Sequence, residues 1–140
     1  MTFVTPSVIL FVILKIKTDF TSFRSDALLY SKAKGFDLVG DAVSPGLVEG
    51  RVQVVFDPRE ARLEPGEILV CPSTDPGWTP LFLTAGGLVM EIGGLMTHGS
   101  IVAREYGLPA VVGVHQATTR LQTGQRVRVD GHRGRVTILE

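Results

Sequence analysis

The chain has a single cysteine, Cys71, among 140 residues. That excludes an internal disulfide framework and a cysteine-rich zinc site. One unpaired thiol suits a reducing, cytoplasmic compartment. Net charge is missing as well, because Lys plus Arg and Asp plus Glu each number 14. With no global positive potential there is no electrostatic case for nucleic acid or an anionic membrane as partner. Long apolar runs are also absent. Residues 8–14 are continuously hydrophobic, but a spanning helix needs about 20 such residues. Lys15 and Lys17 follow that run, whereas a signal peptide carries its basic residues in front. A buried strand or short packing segment is the expectation there. What the chain does have is apolar bulk. Hydrophobic residues make up 44% and charged residues 20%, which excludes wholesale disorder and supplies one domain with a core.

Composition changes near Gly35. All four lysines (Lys15, Lys17, Lys32, Lys34) precede it, and all 16 glycines lie at or after it. Residues 1–38 therefore read as a leader or linker, and residues 39–140 as the compact domain. Within the latter, residues 47–55 alternate as a strand with Val48, Val52 and Val54 on one face. Residues 67–70, 88–90 and 110–112 read as buried strands. Residues 78–84 suit a short helix closed by Gly86-Gly87, and residues 99–106 a second helix. Gly107 supplies its left-handed cap, and Pro109 blocks continuation. Residues 116–121 suit a helical turn. Residues 126–129 and 135–139 form a closing hairpin. Strands alternating with helices predict parallel pairing with helices on one face, and the flanking alternating strands predict a second β layer.

The chemistry is concentrated between residues 93 and 113, in the run Gly93-Gly94-Leu95-Met96-Thr97-His98-Gly99-Ser100. His98 lies between a glycine loop and a helix start, where first-turn N–H groups and the positive end of the helix dipole favour phosphate. An ordinary imidazole is mostly neutral at pH 7, and the neutral ring can attack phosphorus. Thr97 has two readings: it caps the helix, or it hydrogen-bonds the ring or phosphoryl oxygens. Gly93, Gly94 and Gly99 would let another active site approach closely. Ser100 and Arg104 share a helix face, and Arg104 stands about 9 Å further along the axis than His98. It reaches a phosphate there only by extending backward, or else it contacts a partner domain. Against all this stands the ordinary role of a lone histidine at a helix start, which is a cap or a surface residue.

Other residues have plainer readings. Thr74 and Asp75 are loop or cap residues and Trp78 a packing anchor, the alternative being that Asp75, Trp78 and Pro80 shape a rim around His98. Glu91 is an exposed loop carboxylate or an acceptor facing the histidine. His115 and His132 are loop histidines without metal-like spacing to His98. Cys71 is a buried small hydrophobe.

The run through residue 113 closely resembles the mobile, swivelling phosphohistidine domain of the PEP-utilising enzymes. That family includes phosphoenolpyruvate synthase, pyruvate phosphate dikinase, enzyme I of the sugar phosphotransferase system and rifampicin phosphotransferase. Its pattern is Gly-Gly, two residues, Ser/Thr/Cys-His, a small residue, then Ala-Arg-Glu and Gly-aliphatic-Pro-Ala-Val-Val-Gly. The likeness continues upstream through Ser44-Pro45-Gly46, Pro65-Gly66-Glu67 and Thr74-Asp75-Pro76-Gly77-Trp78, and downstream through Gly124-Gln125 and Val129-Asp130-Gly131. Met96 departs from the threonine that the synthase and enzyme I pattern often has, and looks more like the rifampicin phosphotransferase branch.

The resemblance implies an α/β fold, a three-layer β/β/α swivelling domain. It implies that His98 is phosphorylated, that Thr97 orients it, and that Gly93, Gly94, Gly99 and Ser100 form a phosphate or docking loop, with Arg104 a motif residue of unassigned role. It also implies partners, in cis or in trans: an ATP-grasp domain holding ATP and Mg, and an acceptor-site domain. No cofactor is expected in this chain itself. A PEP/pyruvate barrel, at about 250 residues, does not fit in it, so the chain is not expected to turn over ATP alone. The competing reading is a non-catalytic interaction or regulatory module that keeps the fold.

Overall fold

The computed structural model describes residues 37–139, so the apolar run at 8–14 and residues 1–36 of the expected leader lie outside the described residues. The strands are β1 (Asp37–Val39), β2 (Asp41–Ser44), β3 (Leu47–Val54), β4 (Ile68–Cys71), β5 (Gly87–Met90), β6 (Ala110–Val112), β7 (Arg126–Asp130) and β8 (Arg135–Ile138). The helices are α1 (Thr79–Phe82), α2 (His98–Tyr106) and α3 (Ala117–Arg120), with 3-10 turns at Pro58–Glu60 and Pro76–Trp78.

Every residue of β4, β5 and β6 is buried. These runs have no polar alternation because both faces of the strands are covered, as parallel strands between two layers require. β3, β4, β5 and β6 pair in parallel. β3 also pairs antiparallel with β7, β7 with β8, and β8 with β1. β2 completes the other side by pairing antiparallel with β6. The full order is β1-β8-β7-β3-β4-β5-β6-β2.

Its two ends, β1 and β2, are consecutive in the chain and separated by Gly40 alone. The sheet must therefore curl until its edges meet. Gly40 N–H donates to Gly134 O at 2.9 Å, extending the β1–β8 ladder, and Gly131 N–H donates to Gly46 O at 2.7 Å, extending the β3–β7 ladder.

Two apolar clusters follow. One lies between the β layers and includes Leu38, Val52, Ile68, Val70, Val89, Val111, Val127, Val129 and Val136. The other joins Leu69, Cys71, Leu88, Met90, Ala110 and Val112 to Trp78, Leu81, Phe82, Ala103 and Leu108 on the helical side. Successive residues of β4 alternate between the two clusters, as strand geometry dictates. The result is β/β/α in three layers, the architecture that the resemblance implies. Burying each such Val, Leu or Phe side chain stabilises by about 1.5–3 kcal/mol.

Local chemistry sets the boundaries. Gly107 ends α2 in the left-handed conformation. Asp130 accepts from the N–H groups of His132 and Arg133, each at 3.0 Å, and so shapes the β7–β8 turn. The expected helix over 78–84 is a 3-10 turn followed by the four-residue α1. β1 and β2 were not foreseen as strands. β1 also moves the start of the folded part: Asp37 and Leu38 belong to it, ahead of the expected boundary at residue 39, and Leu38 is buried between the sheets.

Cys71 ends β4 in the helix-side cluster. Burial, aided by the negative charge of Glu91, pushes its thiol up to about 12 from an ordinary 9.0. The folded value is the higher one, so this contribution to stability is complete below about pH 9 and is lost as pH rises toward 12. Native protein at pH 8 is expected to resist alkylation by iodoacetamide, with one equivalent incorporated on denaturation. Fast alkylation of folded protein would contradict the placement of Cys71.

Candidate functional site

His98 is the first residue of α2. Three elements meet at its ring. The loop after β4 brings Thr74 Oγ1 to 2.9 Å from Nδ1. α1 brings the edge of Phe82, with ring centroids 6.3 Å apart at 72°. α2 itself fixes the backbone. Phe82 is buried against Trp78 and Leu81 in the helix-side core, so one wall beside the imidazole is a rigid apolar surface. Among the described residues, Thr74 is the only hydrogen-bond partner of the ring. Nδ1 is thus engaged and Nε2 is the nitrogen left for a reactant. In the tautomer with Nδ1–H donating to Thr74, Nε2 carries the lone pair.

Thr97 is the N-cap of α2, and its hydroxyl accepts from Ser100 N–H at 3.4 Å. It also lies 2.9 Å from Ser100 Oγ. Of the two readings of Thr97 the structure bears out the cap, and the hydrogen-bond partner of the ring is Thr74, a residue the sequence reads as a loop or cap position. Asp75 does cap, accepting from Gly77 N–H at 2.8 Å, and Trp78 is a buried anchor.

Ser100 is fully buried and donates to Gly94 O at 2.7 Å. It therefore closes the loop from within and is not offered to a docking partner. Arg104 extends backward, as its position requires, but to carbonyls: Val43 O at 3.2 Å and Leu95 O. It ties the 93–97 loop to β2 and is not aimed at a phosphate on His98.

The glycines divide in the same way. Gly99 is buried, and a Cβ there would lie 2.9 Å from both Met90 Sδ and Thr74 Oγ1. Its small size serves contact with the layer beneath, not the approach of another protein. Gly94 has φ of +111°, a conformation that L side chains rarely adopt, and its N–H points to Asp41 Oδ2 at 3.4 Å. Gly93 packs against Gly113 and the Asp41 carboxylate.

Glu91 is engaged by Thr118 and not by the His98 ring. Its carboxylate accepts from Thr118 N–H at 2.9 Å and from the Thr118 hydroxyl, holding the start of α3. His115 and His132 are exposed in other loops. Among the described residues no cluster of three or more His, Cys, Asp or Glu is placed to hold a metal ion, and no helix is long and apolar enough to cross a membrane.

A glycine loop feeding a histidine at a helix start, on a β/β/α scaffold, is the arrangement that the resemblance led us to expect. The model of the PEP-utilising enzyme mobile domain matches residues 63–134. The chain belongs to that family. This mobile domain is 61% identical over 102 residues to rifampicin phosphotransferase from Streptomyces sviceus, and 58% identical over 102 residues to that of Bacillus cereus. It is 46% identical over 97 residues to phosphoenolpyruvate synthase from Aeropyrum pernix. These matches cover 73%, 73% and 68% of the chain but only 12% of each relative. Most of each relative therefore lies outside the segment shared with the mobile domain. Among solved structures, Thermococcus kodakaraensis aconitase X in its holo form shares the fold alone: 22% identity, TM-score 0.56, covering 74% of this chain and 98% of that one.

Proposed function

We propose that the mobile domain is a phosphohistidine carrier, with His98 Nε2 as the atom that bears the phosphoryl group. The observation that carries this reading is the Thr74–His98 contact of 2.9 Å at Nδ1, at the first residue of α2. Nε2 attacks phosphorus, an N–P bond forms, and the P–O bond to the leaving phosphate breaks. The positive charge that develops on the ring is stabilised by the Nδ1–H bond to Thr74. The amide N–H groups and dipole at the start of α2 favour the phosphoryl oxygens. In the second step an acceptor oxygen bonds to phosphorus, the N–P bond breaks, and the acceptor proton passes to a base of the acceptor site.

ATP and Mg are held by an ATP-grasp partner domain, and the acceptor by another. The share of 12% in the relatives leaves room for both in a longer polypeptide. By analogy with the named relatives, the acceptor is a hydroxyl compound or pyruvate.

Protein purified from its own cells at mildly alkaline pH, where phosphohistidine survives, is expected to carry one phosphoryl mass on His98 in fragment-ion spectra. An unmodified His98, alongside a control protein that keeps its acid-labile phosphate, would sink the proposal in favour of an interaction module. Thr74 is a positioning residue. Thr74→Val should slow phosphoryl uptake by about 10- to 100-fold, the usual cost of losing an orienting partner. Thr74→Ser should restore most of the rate, because it returns the hydroxyl. Equal loss in both variants would assign Thr74 to packing.

A further inference from the structure

The loop that leads into His98 exposes large apolar side chains: Ile92 is 51% exposed, Leu95 59% and Met96 78%. Each is costly to leave in water, and here three fall within five residues. The loop is also held in shape. Ser100 binds Gly94 O from inside, Thr97 closes the helix start, and Arg104 grips Leu95 O. Residues 92–99 contain no charged side chain. The flanking charges are occupied, Glu91 on Thr118 and Arg104 on two carbonyls.

We infer that Leu95 and Met96, backed by Ile92, form an apolar seal that meets an apolar rim around the acceptor site and keeps water from the phosphohistidine during delivery. This inference rests on the carrier reading of His98. Met96 stands two residues before His98, so the donor and acceptor sites both come close to it, and their chemistry decides which gains from an apolar tip. A nucleotide site is dominated by polyphosphate and its counter-charges, to which an uncharged apolar tip contributes no complementarity. An acceptor site gains from it directly. Transfer to an acceptor hydroxyl and transfer to water break the same N–P bond and differ only in which oxygen bonds to phosphorus. Water at high concentration is the competitor, and a dry contact around the nitrogen decides the partition.

The test uses the full 140-residue chain in trans. The donor and acceptor sites come from the Streptomyces sviceus rifampicin phosphotransferase, its own motif histidine replaced by alanine. ATP labelled at each phosphate in turn, Mg and rifampicin are supplied. Two quantities are read: label on His98, and the ratio of phosphorylated rifampicin to inorganic phosphate released from labelled chain.

The double variant Leu95→Ser/Met96→Ser is expected to load within about twofold of the parent chain. Its transfer-to-hydrolysis ratio is expected to fall by about 30-fold, a fraction of what two fully buried apolar side chains contribute. Phe56→Ser, equally apolar and 67% exposed but remote in sequence, is expected to change neither. An unchanged ratio in the double variant overturns the seal. So does a loss of loading as large as the loss of transfer, which would make the tip a general docking element. A parent chain that takes no label at all overturns the carrier reading, and the seal falls with it.

Discussion

His98→Ala is expected to abolish phosphoryl uptake completely while the fold survives. The ring is half-buried and makes one hydrogen bond, to Thr74, and one edge contact, to Phe82. Losing them costs about 1–2 kcal/mol, a drop of roughly 4–15 °C in Tm for a domain of this size. The chemistry has no such reserve. The other histidines, His115 and His132, are exposed on different loops. Incubation with a labelled phosphoryl donor and the partner domains should therefore leave the variant unlabelled while its circular dichroism matches the parent. Labelling of the variant to a comparable extent would remove His98 from the mechanism.

Gly99→Ala should both destabilise the protein and slow phosphoryl uptake. Alanine is normally worth about 1 kcal/mol over glycine inside a helix, so helix propensity alone predicts a gain. The surroundings reverse the sign. The new Cβ would lie 2.9 Å from Met90 Sδ and 2.9 Å from Thr74 Oγ1. Met90 is buried at the end of β5 on the helical side of the sheet, and Thr74 is the partner of His98. Either the Met90 side chain repacks within the buried core or the Thr74 hydroxyl moves off His98 Nδ1. Overpacking of this kind costs about 1–3 kcal/mol. The displaced hydroxyl should also slow phosphoryl uptake by about tenfold or more. Thermal unfolding and uptake kinetics of one preparation settle both parts. A rise in Tm with unchanged uptake would show that the space beneath Gly99 is not tight.

Much of the central layer was legible in the residues. The unalternating runs that become β4, β5 and β6 cannot be half-exposed strands, and Gly107 with Pro109 leaves α2 only one place to end. The motif around His98 was legible because glycine, threonine and histidine have few reasons to stand together before a helix. The sides of the curled sheet were not. β1 and β2 are three and four residues long, too short for periodicity to declare itself, and they are strands only because distant segments accept their hydrogen bonds. Thr74 was misread for a related reason. It lies 24 residues before His98, and nothing in a loop threonine announces that the fold will turn it toward an imidazole. Ser100 and Arg104 are a different case, since spacing alone leaves Arg104 without an assigned role. Both are motif residues, yet burial and backbone carbonyls claim their polar atoms, so they shape the loop from behind.

The closure of the sheet has a kinetic side. β1 pairs Asp37 with Thr137 and Leu38 with Val136, while β2, one residue further on, pairs Asp41 with Val112. Of these eight strands β1 leaves the ribosome first and must wait for β8, the last of them, while β2 must wait for β6. Contacts this distant in sequence slow folding, because the entropy of closing the chain is spent before any contact repays it. Until β8 arrives, the strand edges of β1 and β7 remain open templates for other chains. Truncation just before β8 should consequently yield an aggregating product rather than a smaller folded one. A boundary drawn to isolate this domain from a longer polypeptide must keep both Asp37 and Ile138.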